Sequence, residues 1–249
     1  MDRLLYTAMT GASGTMNRQA SIAHNLANVS TPGYRAEEHR LRAVQVQTHN
    51  TPAALPTRAF AVDASTHTDY QGGPVQLTGR PLDVAVKGDG WIAVTAADGT
   101  EAYTRNGNLQ IDANGVLMTM TGLPVVGDGG QITVPPDQRV SVGEDGTVSI
   151  VPRSGLQTAA VVGRLKLVKP DTNTMQRRGD GLFSTSNGQP APQDETVRLA
   201  AGFIEGSNVN PAEQMVSMIS LARQFEMQVQ MITNAETNDK SATQILAIS

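Results

Sequence analysis

Residues 208–232 read NVNPAEQMVSMISLARQFEMQVQMI, and the reading of this stretch decides the fold. Asn210 is placed to accept from the free amides of a first helical turn, Pro211 suits the first helical position, and Glu213 completes a capping box. Behind this start Met215, Met218, Ala222, Phe225, Val229 and Ile232 recur in three-four alternation, the spacing of a coiled-coil seam. The seam weakens at Glu236 and Asp239 before apolar residues return at Ile245, Leu246 and Ile248. A helix from Pro211 to Ile248 is about 57 Å long at 1.5 Å per residue. A compact domain of ~130 residues has a radius of gyration near ~14 Å, so a diameter of roughly 36 Å. The helix overhangs such a domain, and its apolar seam needs a second partner.

The chain supplies one at its other end. Leu5, Met9, Ala12, Met16, Gln19, Ala23 and Leu26 alternate in steps of four and three, which predicts a helix over residues 2–28 with a matching period. Gly11 and Gly14 lie inside it, and each costs about 1 kcal/mol relative to alanine. A solitary helix with those costs is marginal in water. Its few charges and its many small uncharged positions suit close packing on more than one side. The helix ends in NLANVSTPGY (25–34), where Asn25, Asn28, Pro32 and Gly33 form an emphatic stop.

Between the ends the period changes. Residues 31–73 are polar and irregular, with Pro32, Pro52 and Pro56, and read as an extended linker. From residue 74 to 204, turn signals such as Gly88-Asp89-Gly90, Asp98-Gly99, Asn106-Gly107, Asn114-Gly115, Asp145-Gly146 and Asn187-Gly188 recur at short intervals. Apolar runs separate them: LDVAV (82–86), WIAV (91–94), VLM (116–118), VSI (148–150) and RLKLV (164–168). Asn-Gly and Asp-Gly tolerate positive φ and mark tight turns between strands. The expected architecture is mainly β with α ends. A central all-β domain (74–204), of sandwich or barrel type, carries a discontinuous coiled-coil-like stalk made from residues 1–30 and 205–249.

The composition narrows function by exclusion. The 249 residues contain no cysteine, so disulfides and thiolate metal sites are absent. The formal net charge is −4 and no long basic run appears, which argues against nucleic acid as a partner. No segment approaches the ~18 apolar residues of a membrane span, and neither helix has the basic face of an interfacial one. The opening MDRLLYTAMTGASG lacks a basic leader and an apolar stretch, so no cleavable signal peptide is expected. His24, His39, His49 and His67 have no metal-ligand spacing. Most of the aspartates Asp83, Asp89, Asp98, Asp112, Asp128 and Asp145 of the β region stand beside glycine, where they serve turns rather than a carboxylate pair for hydrolysis. Met218, Met227 and Met231 read as packing material. No enzyme, cofactor or metal site is expected. A rival reading, a glycan-binding or glycan-cleaving β domain on a helical stalk, rests on the acidic turns and the lone Trp91.

Several stretches together resemble the bacterial flagellar rod and hook proteins. NLANVSTPGYR (25–35) is similar to that family's N-terminal signature, RPLDVAVKGDGWIAV (80–94) with AYTRNGNLQIDANGVLMT (102–119) to its central β signature, and EGSNVNPAEQMVSMISLARQFEMQVQMIT (205–233) to its C-terminal one. The opening and the short length look most like the proximal-rod members; the alternative is a distal-rod or hook-type paralogue. The resemblance implies a structural subunit of the basal body, exported without a cleaved signal through the flagellar type III apparatus. It implies helical polymerisation with other rod subunits and with copies of itself, to transmit torque across the periplasm and enclose the export channel. It also implies that Leu5, Met9, Ala12, Met16, Ala23 and Leu26 face Met215, Met218, Ala222, Phe225, Val229 and Ile232, in the same chain or in neighbours. Asn25, Asn28, Pro32 and Gly33 would then set the exit from the inner tube.

Overall fold

The computed structural model describes residues 2–45, 59–152 and 158–247. The chain divides into two compact units, a helical unit of residues 1–28, 36–69 and 209–249 and a β unit of residues 29–35 and 70–208.

In the helical unit, α1 spans Asp2–Ala27 and α2 spans Pro211–Ala247. Asn210 caps α2 as its position predicts: its Oδ1 accepts from the amides of Ala212 at 3.1 Å and Glu213 at 3.4 Å. The two helices pack on each other along a three-four seam. On α1 this seam runs through Ala8, Gly11, Thr15 and Ile22; on α2 through Gln214, Met218, Leu221, Phe225, Gln228, Ile232 and Ala235. Ala235 lies seven residues past Gln228 on α2 and is half-buried, and Ala8 lies seven before Thr15 on α1 and is buried. α1 ends seven residues before Tyr34 and α2 begins three residues after Asn208, whose amide donates to the Tyr34 carbonyl at 3.3 Å; with Thr15 against Gln228 as well, the helices run antiparallel.

The stretch expected to be an extended linker is largely a second element of this unit. Strands Glu37–Gln45 and Ala59–Thr68 form an antiparallel ladder with a bulge between Arg40 and Leu41. In EEHRLRAVQ polar–apolar alternation is confined to Arg40–Ala43, too short a run for a strand to announce itself. Residues 29–35, also assigned to the linker, belong to the β unit, and Pro52 and Pro56 lie outside the described residues.

The β unit is built from short antiparallel ladders. The largest sheet orders its strands Leu167–Val168, Trp91–Thr95, Glu101–Thr104, Phe183–Thr185 and Met175–Arg177. A three-stranded sheet runs Gln138–Val142, Thr147–Pro152, Ala160–Arg164, and several two-stranded ladders complete the unit. Strand Trp91–Thr95 shows why WIAV reads as a continuous apolar run. Side chains alternate across a strand, and here both faces are covered. Ile92 and Val94 enter one core with Val84, Leu109, Leu117 and Leu165. Trp91 and Ala93 enter a second with Tyr103, Val168 and Phe183. Most of the expected tight turns contain a positive-φ glycine, but Gly107 of the Asn106-Gly107 pair does not. Its role is close approach: a Cβ there would stand 1.7 Å from the Val84 carbonyl oxygen.

Candidate assembly site

The stop after α1 is assembled from side chains with separate tasks. Asn28 ends the helix, donating from Nδ2 to the His24 carbonyl at 2.9 Å while its own amide reaches the carbonyls of His24 and Asn25. Asn25, 2% exposed, pairs with both backbone groups of Glu37: Nδ2 donates to the Glu37 carbonyl at 2.8 Å and Oδ1 accepts from the Glu37 amide at 3.0 Å. An asparagine amide thus imitates a neighbouring strand and fixes where the hairpin begins.

In the β unit, Pro32 is half-buried and Gly33 adopts φ 70°, its amide donating to the Glu205 carbonyl at 2.8 Å. A Cβ at Gly33 would lie 2.4 Å from Arg105 C and Asn106 N, so only glycine fits. Two residues on, Arg35 enters a buried ion cluster that the sequence reading did not assign. Its Nη2 donates to Glu205 Oε1 at 2.5 Å, and Arg105 Nη1 donates to Glu205 Oε2 at 3.2 Å. The side chains of Arg35, Glu205 and Arg105 are 0%, 3% and 6% exposed. Glu205 Oε1 also accepts from the Gly73 amide at 3.0 Å, and Arg105 donates to the carbonyls of Val86 and Gly88. Two cations share one carboxylate here. Burial lowers the Arg105 pKa, and the Glu205 charge opposes that shift. Arg35 Nε and Nη1 and Arg105 Nε are buried without a hydrogen-bond acceptor. The indole of Trp91 compensates, its centroid 5.2 Å from the Arg105 guanidinium carbon and 6.0 Å from that of Arg35. Arg177 completes the arrangement, donating to the Arg35 carbonyl at 2.9 Å and lying over the Tyr34 ring at 4.6 Å.

The features behind the glycan reading are used within the fold. Trp91 is 3% exposed and packs on Phe183 with centroids 4.7 Å apart, so it offers no platform to a sugar. Asp98 accepts from the Thr100 amide and hydroxyl and from Arg178 at 2.7 Å, which holds its carboxyl well below the usual range. Asp112 and Asp145 are likewise lowered by the turn amides and side chains that they accept from. Among the described residues no cluster of three or more His, Asp or Glu has the proximity to hold a metal. None of the described helices is long and apolar enough to cross a membrane.

Three family models match the chain: a flagella basal body rod protein model over residues 5–35, a flagellar hook protein FlgE/F/G D1 domain over 85–150, and a flagellar basal body rod FlgEFG protein C-terminal region over 200–245. The chain is 46% identical to the flagellar basal-body rod protein FlgF of Salmonella typhimurium and 45% identical to that of Escherichia coli, each match covering all of both chains. It is 31% identical to the flagellar basal-body rod protein FlgG of Bacillus subtilis, over 95% of this chain and 96% of the relative. The chain belongs to the flagellar basal-body rod proteins.

Within that family it is of the FlgF type, a structural subunit of the proximal rod that assembles with other rod subunits in the basal body. Each family-matched segment contributes to the ion cluster: Arg35 from the first, Trp91 and Arg105 from the second, Glu205 from the third. The residues expected to form the helical interface divide into two groups. Leu5, Ala12 and Leu26 of α1 and Met218, Ala222, Phe225 and Ile232 of α2 are half-buried at or beside the seam. Met9, Met16 and Ala23 are exposed, as are Met215 and Val229, so within one chain they do not face the partner helix. The observed seam on α1 lies one residue earlier than the apolar pattern indicates. Small and polar residues, Ala8, Gly11 and Thr15, let the helices approach there, and a search for apolar residues passes over them. On α2 one column is shared, and the other is Gln214, Leu221 and Gln228 in place of Met215, Ala222 and Val229. Met227 and Met231, read as packing material, are also exposed.

Proposed function

We propose that this rod subunit polymerises helically, with neighbouring rod proteins and with copies of itself, through the faces of α1 and α2 that lie away from their mutual seam. One observation carries the reading. Of the thirteen exposed large apolar residues among the described positions, nine are on the two helices: Tyr6, Met9 and Met16, and Met215, Val216, Ile219, Met227, Val229 and Met231. A helix that is apolar beyond one stripe needs covering on more than one side. In the assembled rod the helices would enclose the export channel. The rod would cross the periplasm and transmit torque, and the subunit would reach it through the flagellar type III apparatus without a cleaved signal. The role is mechanical, with no substrate turned over.

Replacing Met9 and Met16 with glutamate tests this. Both side chains are over half exposed, so the isolated chain should melt within about 0.5 kcal/mol of the unchanged protein, as surface substitutions do. A strain carrying only this variant should be non-motile. Full motility would overturn the assignment of that face.

A further inference from the structure

The geometry points to Gly11, Thr15 and Gln228 as the residues that determine the register of the helix pair, and so determine which apolar faces it presents. Thr15 is 2% exposed and Gln228 8%, both in the middle of the seam. The Thr15 hydroxyl lies 2.9 Å from the Gly11 carbonyl oxygen and 3.1 Å from Gln228 Oε1, so its proton serves both acceptors. Gly11 supplies the space: a Cβ there would stand 3.0 Å from Gln228 Nε2. The amide of Gln228 therefore sits over a glycine, with a hydroxyl one turn further along α1.

The rest of the seam does not define a register as sharply. Ala8, Ile22, Met218, Leu221, Phe225, Ile232 and Ala235 repeat on a heptad, and a seven-residue slip keeps apolar residues against apolar residues. Between these apolar positions the slip fails at the Thr15–Gln228 contact. It would set Gln228 against Ala8 or Ile22, neither of which has a hydroxyl, and would put Leu4 or Arg18 where Gly11 makes room. A buried amide left without its partner disfavours each slipped state by roughly five- to 150-fold. A single buried polar contact that selects register at some cost in stability is a known device of helix pairs. Here it keeps Met9 and Met16 on one side and Met227, Val229 and Met231 in a fixed offset from them. The inference concerns the isolated chain and stands whether or not those faces contact other rod subunits.

The chain has no cysteine, which permits a direct test by paired cysteines and a short bis-methanethiosulfonate linker. In the observed register Ala8 stands opposite Ala235, seven residues from the Thr15–Gln228 contact on each helix. Ala242, seven residues or about 10.5 Å further along α2, comes opposite only after a heptad slip. The purified full-length Ala8→Cys/Ala235→Cys variant should cross-link, and Ala8→Cys/Ala242→Cys should give roughly a fifth of that product or less. Adding Thr15→Val and Gln228→Leu to each pair should leave the melting temperature unchanged or raised, yet bring the two products to comparable yield. Thr15→Ser, which keeps the hydroxyl, should retain the single product. Persistence of only the first cross-link in the apolar variant would overturn the proposal, because register would then come from the apolar residues. Equal products, or none, in the otherwise unchanged chain would overturn it too, because there would be no fixed register to explain.

Discussion

Replacing Glu205 with alanine should damage the protein far more than the loss of one carboxylate suggests. Glu205 is the shared anion of two arginines whose side chains are 0% and 6% exposed, and Arg105 already has its pKa lowered by burial. Without Glu205 both guanidinium groups stay buried with no opposing charge, and the Gly73 amide loses its acceptor. Removing one partner of a buried pair costs about 3–5 kcal/mol. A domain's whole stability is about 5–15 kcal/mol, so the loss is a large share of it. At about 2–4 °C per kcal/mol for a unit of this size, the melting temperature should fall by about 6–20 °C. Trp91 is the only tryptophan in the chain and lies 5.2 Å from the Arg105 guanidinium carbon, so its fluorescence reports unfolding at this cluster. Urea titration of the full-length chain gives the free energy. Replacing all three charges together, as Arg35→Met, Arg105→Met and Glu205→Leu, should recover most of the loss, because the apolar set has no charge to strand. A Glu205→Ala penalty below about 1 kcal/mol would refute the reasoning, since surface ion pairs reach that value.

Two further substitutions separate other contributions. Gly33→Ala and Gly188→Ala both place a side chain at positive φ, 70° and 68°, but only the first meets backbone, at 2.4 Å. Gly188→Ala should cost about 1 kcal/mol and Gly33→Ala at least about 3, in paired urea titrations. Acidification should weaken the β unit through its turns. The carboxyls of Asp98, Asp112, Asp145 and Asp194 have folded pKa values below the unfolded value near ~3.9. Their contribution is therefore complete above that value and lost as pH falls through the folded ones. The urea midpoint should drop as pH falls from 5 to 2, and Asp98→Asn should show a shallower drop.

Much of this architecture could be read from local sequence. The start of α2 rests on Asn210 and Pro211, adjacent residues whose capping chemistry is independent of tertiary context. The strands around Trp91 and Leu117 follow from short apolar runs bounded by glycine turns. Other parts were hidden for physical reasons. The hairpin of Glu37–Gln45 and Ala59–Thr68 carries charged and polar residues where a strand normally alternates, and Asn25 fixes its beginning through a tertiary contact. The contact face of α1 was displaced by one residue because hydropathy favours Met9 and Met16, whereas close approach favours Ala8, Gly11 and Thr15. The ion cluster was the least legible. Arg35 and Glu205 are 170 residues apart, and nothing near either one indicates that they meet. The signal available was the ending of the first signature on arginine and the opening of the last on glutamate, opposite charges at the two passages into the β unit.

The central claim is that the outward faces of α1 and α2 are the surfaces by which the subunit joins the rod. Basal bodies isolated from strains carrying Met16→Cys or Val229→Cys test it most directly, since the chain has no other cysteine. A photoactivatable label attached at either position should give adducts between this subunit and another rod protein or a second copy of itself. The same label at Val161→Cys, an exposed position of the β unit, provides the comparison. Intermolecular adducts from Val161 with only intramolecular products from Met16 and Val229 would contradict the account.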